Sequence, residues 1–234
     1  LGRLIEKLSE IEGIEWIRIH YSYPDGFPED VLHIMASNPK VCRYIDIPLQ
    51  HSADAVLKAM HRSVDGRQTR ELVEKFRKIV PDVVLRTTMM VGHPGEGEAE
   101  FEDLLQFVKD YRFERLGAFQ YSEEEGTFGA MNLRDEVPES VKQERYNRLM
   151  EAQSAISEQF NVSRIGKHER VLVDSCTDGV LVARSYGESP EVDGEILIGD
   201  EQSISKLDIN NIIGNFVNVE IRSASEYDLL AEIV

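Results

Sequence analysis

The chain has few cysteines, few long apolar runs and too little positive charge to balance its acidic side chains. Its 234 residues include two cysteines, Cys42 and Cys176, which stand far apart and form no CxxC pair. They exclude a disulfide scaffold and cannot ligate an iron–sulfur cluster, which takes about four ligands, mostly thiolates. No apolar run is long enough to span a membrane, and the sequence shows no signal segment or lipidation motif. We therefore expect a cytoplasmic protein.

Basic residues are outnumbered, with 26 Lys and Arg against 43 Asp and Glu and a formal net charge of −17. This balance disfavours unaided electrostatic capture of nucleic acid or of an anionic membrane. The excess is concentrated in residues 168–234, which carry 4 basic and 14 acidic side chains, a formal charge of −10. A basic partner suits this segment better than an acidic one.

Motifs of several common enzyme classes are also missing. The sequence has no GxGxxG after a strand, no P-loop, no GxSxG and no HExxH, and its six histidines show no metal-ligand spacing. Without reference to any family, the sequence indicates a ligand-binding α/β domain with no visible reactive group.

Up to about residue 165, β-type runs alternate with amphipathic helical stretches. The pattern predicts a parallel sheet with right-handed crossovers, in which Ser52 is the N-cap of the second helix. Four strands are too few to close a barrel, so the alternatives are an open sheet or a barrel whose first strands are absent. The predicted strands are 14–19, 44–48, 83–91 and 116–121, and the helices are 28–37, 53–60, 69–79, 98–111 and a long one from Pro138.

After Gly166 the segments become short and alternating, separated by Asp-Gly, Pro and Asn-Asn turns. Five antiparallel strands in about 67 residues are typical of a small OB-like barrel. We therefore expect two domains, residues 1–165 and 166–234. The predicted strands are 169–174, 180–184, 195–198, 216–222 and 226–234.

Polar, aromatic and glycine residues follow each predicted strand of the first domain, in segments 19–24, 48–52, 91–96 and 120–122. In parallel α/β folds, ligand groups come from these carboxyl ends of the strands. A single histidine there is more often a hydrogen-bonded structural residue, and the glycines of 92–95 suit a tight turn. Arg86 lies on an apolar strand and needs a partner if it is buried. Together, the four clusters favour a ligand site.

Four ordered segments resemble the radical S-adenosylmethionine (SAM) methylthiotransferases, and the resemblance covers essentially the whole chain. Two downstream segments, SPEVDG (189–194) and EYDL (226–229), resemble the RimO branch, which modifies an aspartate of a small-subunit ribosomal protein. The terminal segment resembles that family's TRAM domain. The four segments are IEWIRIHYSYP (14–24), DIPLQH (46–51), LRTTMMVGHPGE (85–96) and YSEEEGT (121–127).

The resemblance implies the last four βα units of a radical SAM partial TIM barrel, followed by the TRAM barrel. It implies methylthiolation of an aspartate β-carbon in a basic ribosomal protein, with SAM and two 4Fe-4S clusters in the full-length enzyme. The family's N-terminal domain with three cysteines and its CxxxCxxC loop are not in this sequence. We therefore expect the chain alone to ligate no cluster and to be inactive.

By the same resemblance, the residues of this chain hold SAM and substrate, and no catalytic residue or metal ligand is assigned. His93 stands where the family has an aromatic such as Phe, and Gly97 stands where Thr is usual. The residues assigned to SAM are Gln50, Arg86, Thr88 and Gly92, with His20 and Tyr121 as further candidates at the strand ends.

Two other functions stay open at this point. The sister enzymes that methylthiolate an adenosine of tRNA share the barrel, the SAM site and the TRAM domain, but RNA binding calls for a basic barrel surface. A non-catalytic module that binds a ribosomal protein through its acidic barrel is the second alternative.

Overall fold

The computed structural model describes residues 1–199 and 209–234 of the chain. The chain folds as two units, Leu1–Gln153 and Ser154–Val234. The domain boundary expected between residues 165 and 166 stays a prediction.

Four parallel strands form the sheet of the first unit, and they lie side by side in sequence order. The alternation of strands and helices predicted from the sequence is confirmed. The strands are β1 (Ile17–Ile19), β2 (Val41–Asp46), β3 (Val84–Val91) and β4 (Arg115–Gln120).

Seven helices accompany this sheet within the described residues. The helix predicted at 98–111 has those bounds: the Gly97 amide before it donates to the Glu100 carboxylate at 3.0 Å, and the left-handed Arg112 ends it. Two short helices, the first and the sixth, were not predicted. The helices are α1 (Gly2–Ser9), α2 (Glu29–Ser37), α3 (Asp54–Ala59), α4 (Gly66–Ile79), α5 (Glu98–Tyr111), α6 (Phe128–Asn132) and α7 (Glu139–Val162).

The predicted N-cap role of Ser52 is wrong. Ala53 is the N-cap of α3, and no side chain caps this helix. The Ser52 hydroxyl instead donates to Asp103 Oδ2 at 2.6 Å, and Asp103 also accepts from Arg70. Ser52 therefore lies one residue before the N-cap, with its hydroxyl held by a charged acceptor on α5.

The two faces of β3 differ in polarity. Leu85, Thr87, Met89 and Val91 are buried on one face, whereas the half-buried residues of the strand lie on the other. Arg86 and Thr88 belong to this second set, and Asp46 of β2 is in register with Arg86. The second face therefore carries polar side chains toward the carboxyl ends of the strands.

The second unit is a closed barrel in the order β5-β6-β7-β9-β8. Its alternate residues form a buried apolar core that includes Val171, Leu181 and Ile221. A short helix, α8 (Ile209–Ile212), precedes β8. The strands are β5 (His168–Thr177), β6 (Val180–Arg184), β7 (Ile196–Ile198), β8 (Phe216–Ala224) and β9 (Leu229–Ile233).

The sequence pattern predicted antiparallel strands throughout the barrel, but one pair of strands is parallel. β7 and β9 are parallel, with Ile196 opposite Leu229, and the other four pairs are antiparallel. Five strands in a closed ring cannot all alternate in direction, so one pair must be parallel.

In the described part of the chain, no helix is long and apolar enough to cross a membrane.

Candidate ligand site at the carboxyl ends of the strands

The segment after β2 stays hydrogen-bonded to β3 as far as Gln50. The Gln50 amide donates to the Thr88 carbonyl at 2.9 Å, and the Gln50 carbonyl accepts from the Met90 amide at 2.8 Å. Gln50 itself has a left-handed backbone, with φ of +72°. Its position at the end of the sheet is therefore fixed by backbone geometry.

A tight turn follows β3, as the sequence predicted. The Glu96 amide donates to the His93 carbonyl at 2.8 Å, across Pro94 and Gly95. With Gly95 at φ +91°, this is the arrangement of a type II turn. Gly92, before the turn, is at φ +74°.

A buried carboxylate holds this turn in place. Glu96 Oε1 accepts from the Gly92 amide at 2.9 Å and from Arg145 Nη1 of α7 at 2.8 Å. Glu96 Oε2 lies 3.1 Å from His51 Nε2. The Ala53 amide donates to His51 Nδ1 at 3.0 Å, so the ring proton is on Nε2 and is donated to Glu96. The network joins the segments after β2 and β3 to α7.

A cavity of about 380 Å³ opens beside this turn, between the strand ends and helices α3 and α6. Its volume suits a small ligand. Met60, Met90 and Phe128 give it apolar walls. Its main polar lining residues are Gln50, Arg62, His93, Tyr121, Ser122 and Glu124.

His93 is a neutral acceptor in the wall of this cavity. Its Nδ1 donates to the Pro94 carbonyl at 2.8 Å, which leaves Nε2 without a proton. Burial lowers the pKa of His93, against smaller opposing effects of the Pro94 carbonyl, Glu96 and Asp135. Among the described residues, His93 Nε2 has no hydrogen-bond partner.

Tyr121 packs against His93, with ring centroids 5.0 Å apart in an edge-on arrangement. Burial raises the pKa of Tyr121, and nearby Glu123 and Asp135 add to the effect. Lys142 Nζ lies 5.5 Å from the Tyr121 ring centre and donates to the Tyr121 carbonyl at 3.3 Å. The phenol therefore stays protonated at neutral pH, as a donor available to a ligand.

Arg62 also lines the wall of this cavity. Its Nη2 donates to the Pro48 carbonyl at 2.7 Å, and its guanidinium lies over the Tyr23 ring at 4.6 Å. Its buried Nε has no hydrogen-bond partner within the described residues. Arg62 is therefore held at the cavity wall by the Pro48 carbonyl and the Tyr23 ring.

The six residues assigned to SAM do not form one cluster. Gln50 and Tyr121 line the cavity, and Gly92 begins the turn beside it. Arg86 lies earlier on β3, where its Nη1 donates to Asp46 Oδ1 at 2.9 Å. Thr88 lies between Arg86 and the cavity on the same face of β3. His20 is exposed, with its ring 6.4 Å from that of Tyr44.

Arg86 was predicted to need a hydrogen-bonding partner if buried. Asp46 of the neighbouring strand β2 is such a partner. The roles of all six residues toward SAM stay predictions.

Three residues at or beside the cavity had no predicted site role: Arg62, Glu96 and Arg145. Arg145 lies 49 positions from Glu96, so no local pattern connects them. Glu96 ends the segment LRTTMMVGHPGE (85–96), and an acidic side chain directly after a glycine turn could have indicated its role.

No residue set in residues 1–199 and 209–234 suits a metal ion, since no three His, Cys, Asp or Glu side chains cluster to hold one. Cys42 is buried in the first unit, and Cys176 is half-buried in the second. The described side chains therefore do not fit a 4Fe-4S cluster.

Comparison with known proteins places the chain in a class. Residues 1–108 match the radical SAM superfamily, and residues 165–234 match the TRAM domain. The chain also resembles a solved radical SAM enzyme, coproporphyrinogen III oxidase (HemN) from Escherichia coli. That match has a TM-score of 0.50 and 18% identity, and covers 71% of this chain and 39% of the other. The chain therefore carries a radical SAM segment and a TRAM domain.

Its similarity to one group of relatives extends over all 234 residues. The chain is 46% identical to ribosomal protein uS12 methylthiotransferase RimO of Bacteroides fragilis and 48% identical to that of Porphyromonas gingivalis. It spans about half, 53%, of the length of each of these curated relatives. The resemblance to the RimO branch is confirmed.

Proposed function

We propose that this chain is the SAM- and substrate-holding part of an enzyme that methylthiolates the β-carbon of an aspartate in ribosomal protein uS12. Its similarity to the uS12 methylthiotransferases over all of its residues carries the proposal. SAM and an iron–sulfur cluster supply the one-electron chemistry in such enzymes, and the protein positions them. The residues described above are assigned to holding SAM and the substrate.

The cavity at the strand ends suits part of a SAM molecule. SAM carries hydrogen-bond donors, and the wall has an acceptor, His93 Nε2, to which no described residue donates. The apolar wall of Met60, Met90 and Phe128 suits a flat heterocycle. Gln50 and Tyr121 then offer an amide and a phenol to the same ligand.

Two further residues are assigned to the methionine end of SAM. Arg86 and Thr88 share the half-buried face of β3, ahead of the cavity along the strand. A carboxylate bound to Arg86 would form a charge-assisted hydrogen bond, beside the one that Arg86 already makes to Asp46. Gly92 has no side chain, and this leaves the space in which Lys142 of α7 packs against the turn.

The cluster is not assigned to this chain, because its described side chains do not fit one. Anaerobic reconstitution with iron and sulfide should yield no stoichiometric 4Fe-4S absorption on residues 1–234. Stable, stoichiometric cluster binding would contradict this assignment.

We assign uS12 recognition to the acidic barrel. Basic side chains that could meet RNA phosphates are few there, and acidic or aromatic neighbours already engage the described ones. Arg184 Nε donates to Asp174 at 2.9 Å, and Arg222 Nε donates to Glu232 at 2.8 Å. Arg170 lies over the Phe216 ring at 3.9 Å. Lys206, the fourth basic residue of the barrel, is outside the described residues.

This arrangement favours a basic protein partner over tRNA, because acidic surfaces steer basic proteins and repel phosphates.

The test measures binding of the full chain to purified uS12 and to tRNA at rising salt concentration. We expect uS12 binding that weakens as salt rises, and no measurable tRNA binding under the same conditions. Tight tRNA binding would favour the tRNA-modifying alternative. Binding to uS12 that does not change with salt would remove the electrostatic basis of the proposal.

A further inference from the structure

The strongest unexplained feature of the molecule is the imidazole of His93. The residue is 5% exposed, it lines a cavity, and its tautomer is set by the 2.8 Å hydrogen bond from Nδ1 to the Pro94 carbonyl. That hydrogen bond leaves Nε2 as an acceptor, and no described residue donates to it. Because His93 lines the cavity, a ligand held there can supply the donor that Nε2 lacks.

We propose that His93 Nε2 accepts a hydrogen bond from the 6-amino group of the adenine of SAM, and so determines specificity for adenine. This inference rests on the proposed function, since it requires SAM to occupy the cavity. It assigns His93 to ligand selection and not to a chemical step.

The surroundings of His93 favour this donor over the other donors of SAM. The ammonium group of SAM is charged and would be better placed beside a carboxylate than beside a neutral imidazole. A ribose hydroxyl both donates and accepts, so it would not need a fixed tautomer. An aromatic amine donates from a flat ring, and the wall beside His93 offers the Tyr121 ring, 5.0 Å away, and Met90.

Burial keeps His93 neutral, although several titratable groups surround it. His51 and Glu96 face it from the segments after β2 and β3, and Asp135 faces it from the chain before α7. Lys142 of α7 lies on the other side of Tyr121, with its charge held by Asp135 and Glu139. The neutral ring of His93 offers Nε2 as an acceptor, and protonating it would convert that acceptor to a donor.

The experiment compares two ligands that differ in one group. S-adenosylhomocysteine and its analogue with hydrogen in place of the 6-amino group are titrated into the full chain by calorimetry. We expect the wild-type chain to prefer the amino compound by about 5- to 20-fold, the scale of one hydrogen bond to a buried group. His93→Phe should bind both ligands equally, and His93→Gln, which keeps an acceptor, should regain part of the preference.

A spectroscopic readout separates contact from a structural effect. The Nε2 nitrogen signal of His93 should shift on adding S-adenosylhomocysteine and should stay in place on adding the 6-deamino analogue. Equal wild-type affinities, or an unmoved Nε2 signal with ligand bound, would overturn the His93 inference and leave the SAM site intact. If the wild-type chain binds neither ligand, the assignment of SAM to this cavity fails as well.

Discussion

His51 and Glu96 lie 45 positions apart, yet His51 Nε2 donates to Glu96 Oε2 at 3.1 Å with both side chains fully buried. Arg145 Nη1 approaches the other oxygen of the same carboxylate at 2.8 Å. Because Glu96 also accepts from the Gly92 amide, one side chain supports the turn that forms a wall of the cavity.

Glu96→Gln should therefore destabilise the protein strongly. The substitution removes the buried countercharge of Arg145, whose side chain is 6% exposed, and leaves only the exposed Glu98, 3.5 Å away. Breaking a buried ion pair costs about 3 kcal/mol or more. Urea unfolding at neutral pH measures the loss. The control is Glu71→Gln, which removes the exposed ion pair with Arg67 and should change stability by less than about 0.5 kcal/mol. Equal effects of the two variants would show that the Glu96 network is not a stabilising unit.

Gly92→Ala should be more damaging than Gly95→Ala, although both glycines have left-handed backbones. A non-glycine residue at either position costs about 1–2 kcal/mol. At Gly92, an added Cβ would also lie 2.3 Å from Lys142 Cγ, whereas nothing lies within 4 Å of a Cβ on Gly95. We expect Gly92→Ala to lose about 1–3 kcal/mol more in urea unfolding. Lys142→Ala should reduce that excess, and an excess unchanged by Lys142→Ala would exclude the overlap as its cause.

The sequence was sufficient for features that depend on local periodicity. The bounds of α5 were predictable because its apolar residues recur at helical spacing. The parallel direction of the strands followed from the alternation of strands and helices. Helices α1 and α6 escaped prediction, and the five residues of α6 are too few to show a period.

The site was predicted less completely, because its contacts are tertiary. The strand ends marked Gln50 and Tyr121 as neighbours, and both line one cavity. No local pattern gives Ser52 its acceptor Asp103, or gives Glu96 its partner Arg145 from a helix 49 positions later. The importance of His93 depends on which ring nitrogen carries the proton, and only the Pro94 carbonyl beside it determines that.

Arg86 and Asp46 should be energetically coupled. They pair at 2.9 Å with side chains 20% and 12% exposed, so partial burial strengthens the interaction. We expect Arg86→Ala to lower stability by about 1–3 kcal/mol and Asp46→Asn/Arg86→Ala to lose less than the sum of the single variants. Strictly additive losses in urea unfolding would show that the two side chains act independently.

The same Arg86→Ala variant tests the assignment to SAM, whose binding should weaken by about 1.5–3 kcal/mol in calorimetry. Unchanged affinity together with lost stability would confine Arg86 to a structural role in the sheet.

The lowered pKa of His93 predicts a pH dependence of stability. The unfolded chain takes up a proton near pH 6.5, while the folded protein resists it to lower pH because the ring is buried. Stability should thus be retained above pH 6.5 and fall as the pH drops from there through the folded pKa. His93→Gln should flatten this decline in urea unfolding measured from about pH 7.5 to 5, relative to the exposed control His33→Gln. Parallel pH profiles for the wild type and His93→Gln would contradict the burial effect.

The acidic barrel makes a prediction about the rate of partner binding. Glu191 and Glu226 are exposed in the second unit, and reversing both to Lys changes the charge of the chain by four. If the barrel steers a basic ribosomal protein, Glu191→Lys/Glu226→Lys should slow association with uS12 by about 10-fold or more at low salt. Glu6→Lys/Glu12→Lys makes the same net change at exposed positions of the first unit and should slow association less. Stopped-flow measurements at rising salt should bring the three rates together, because salt screens exposed charges. If the two double variants slow association equally, net charge and not the barrel attracts the partner.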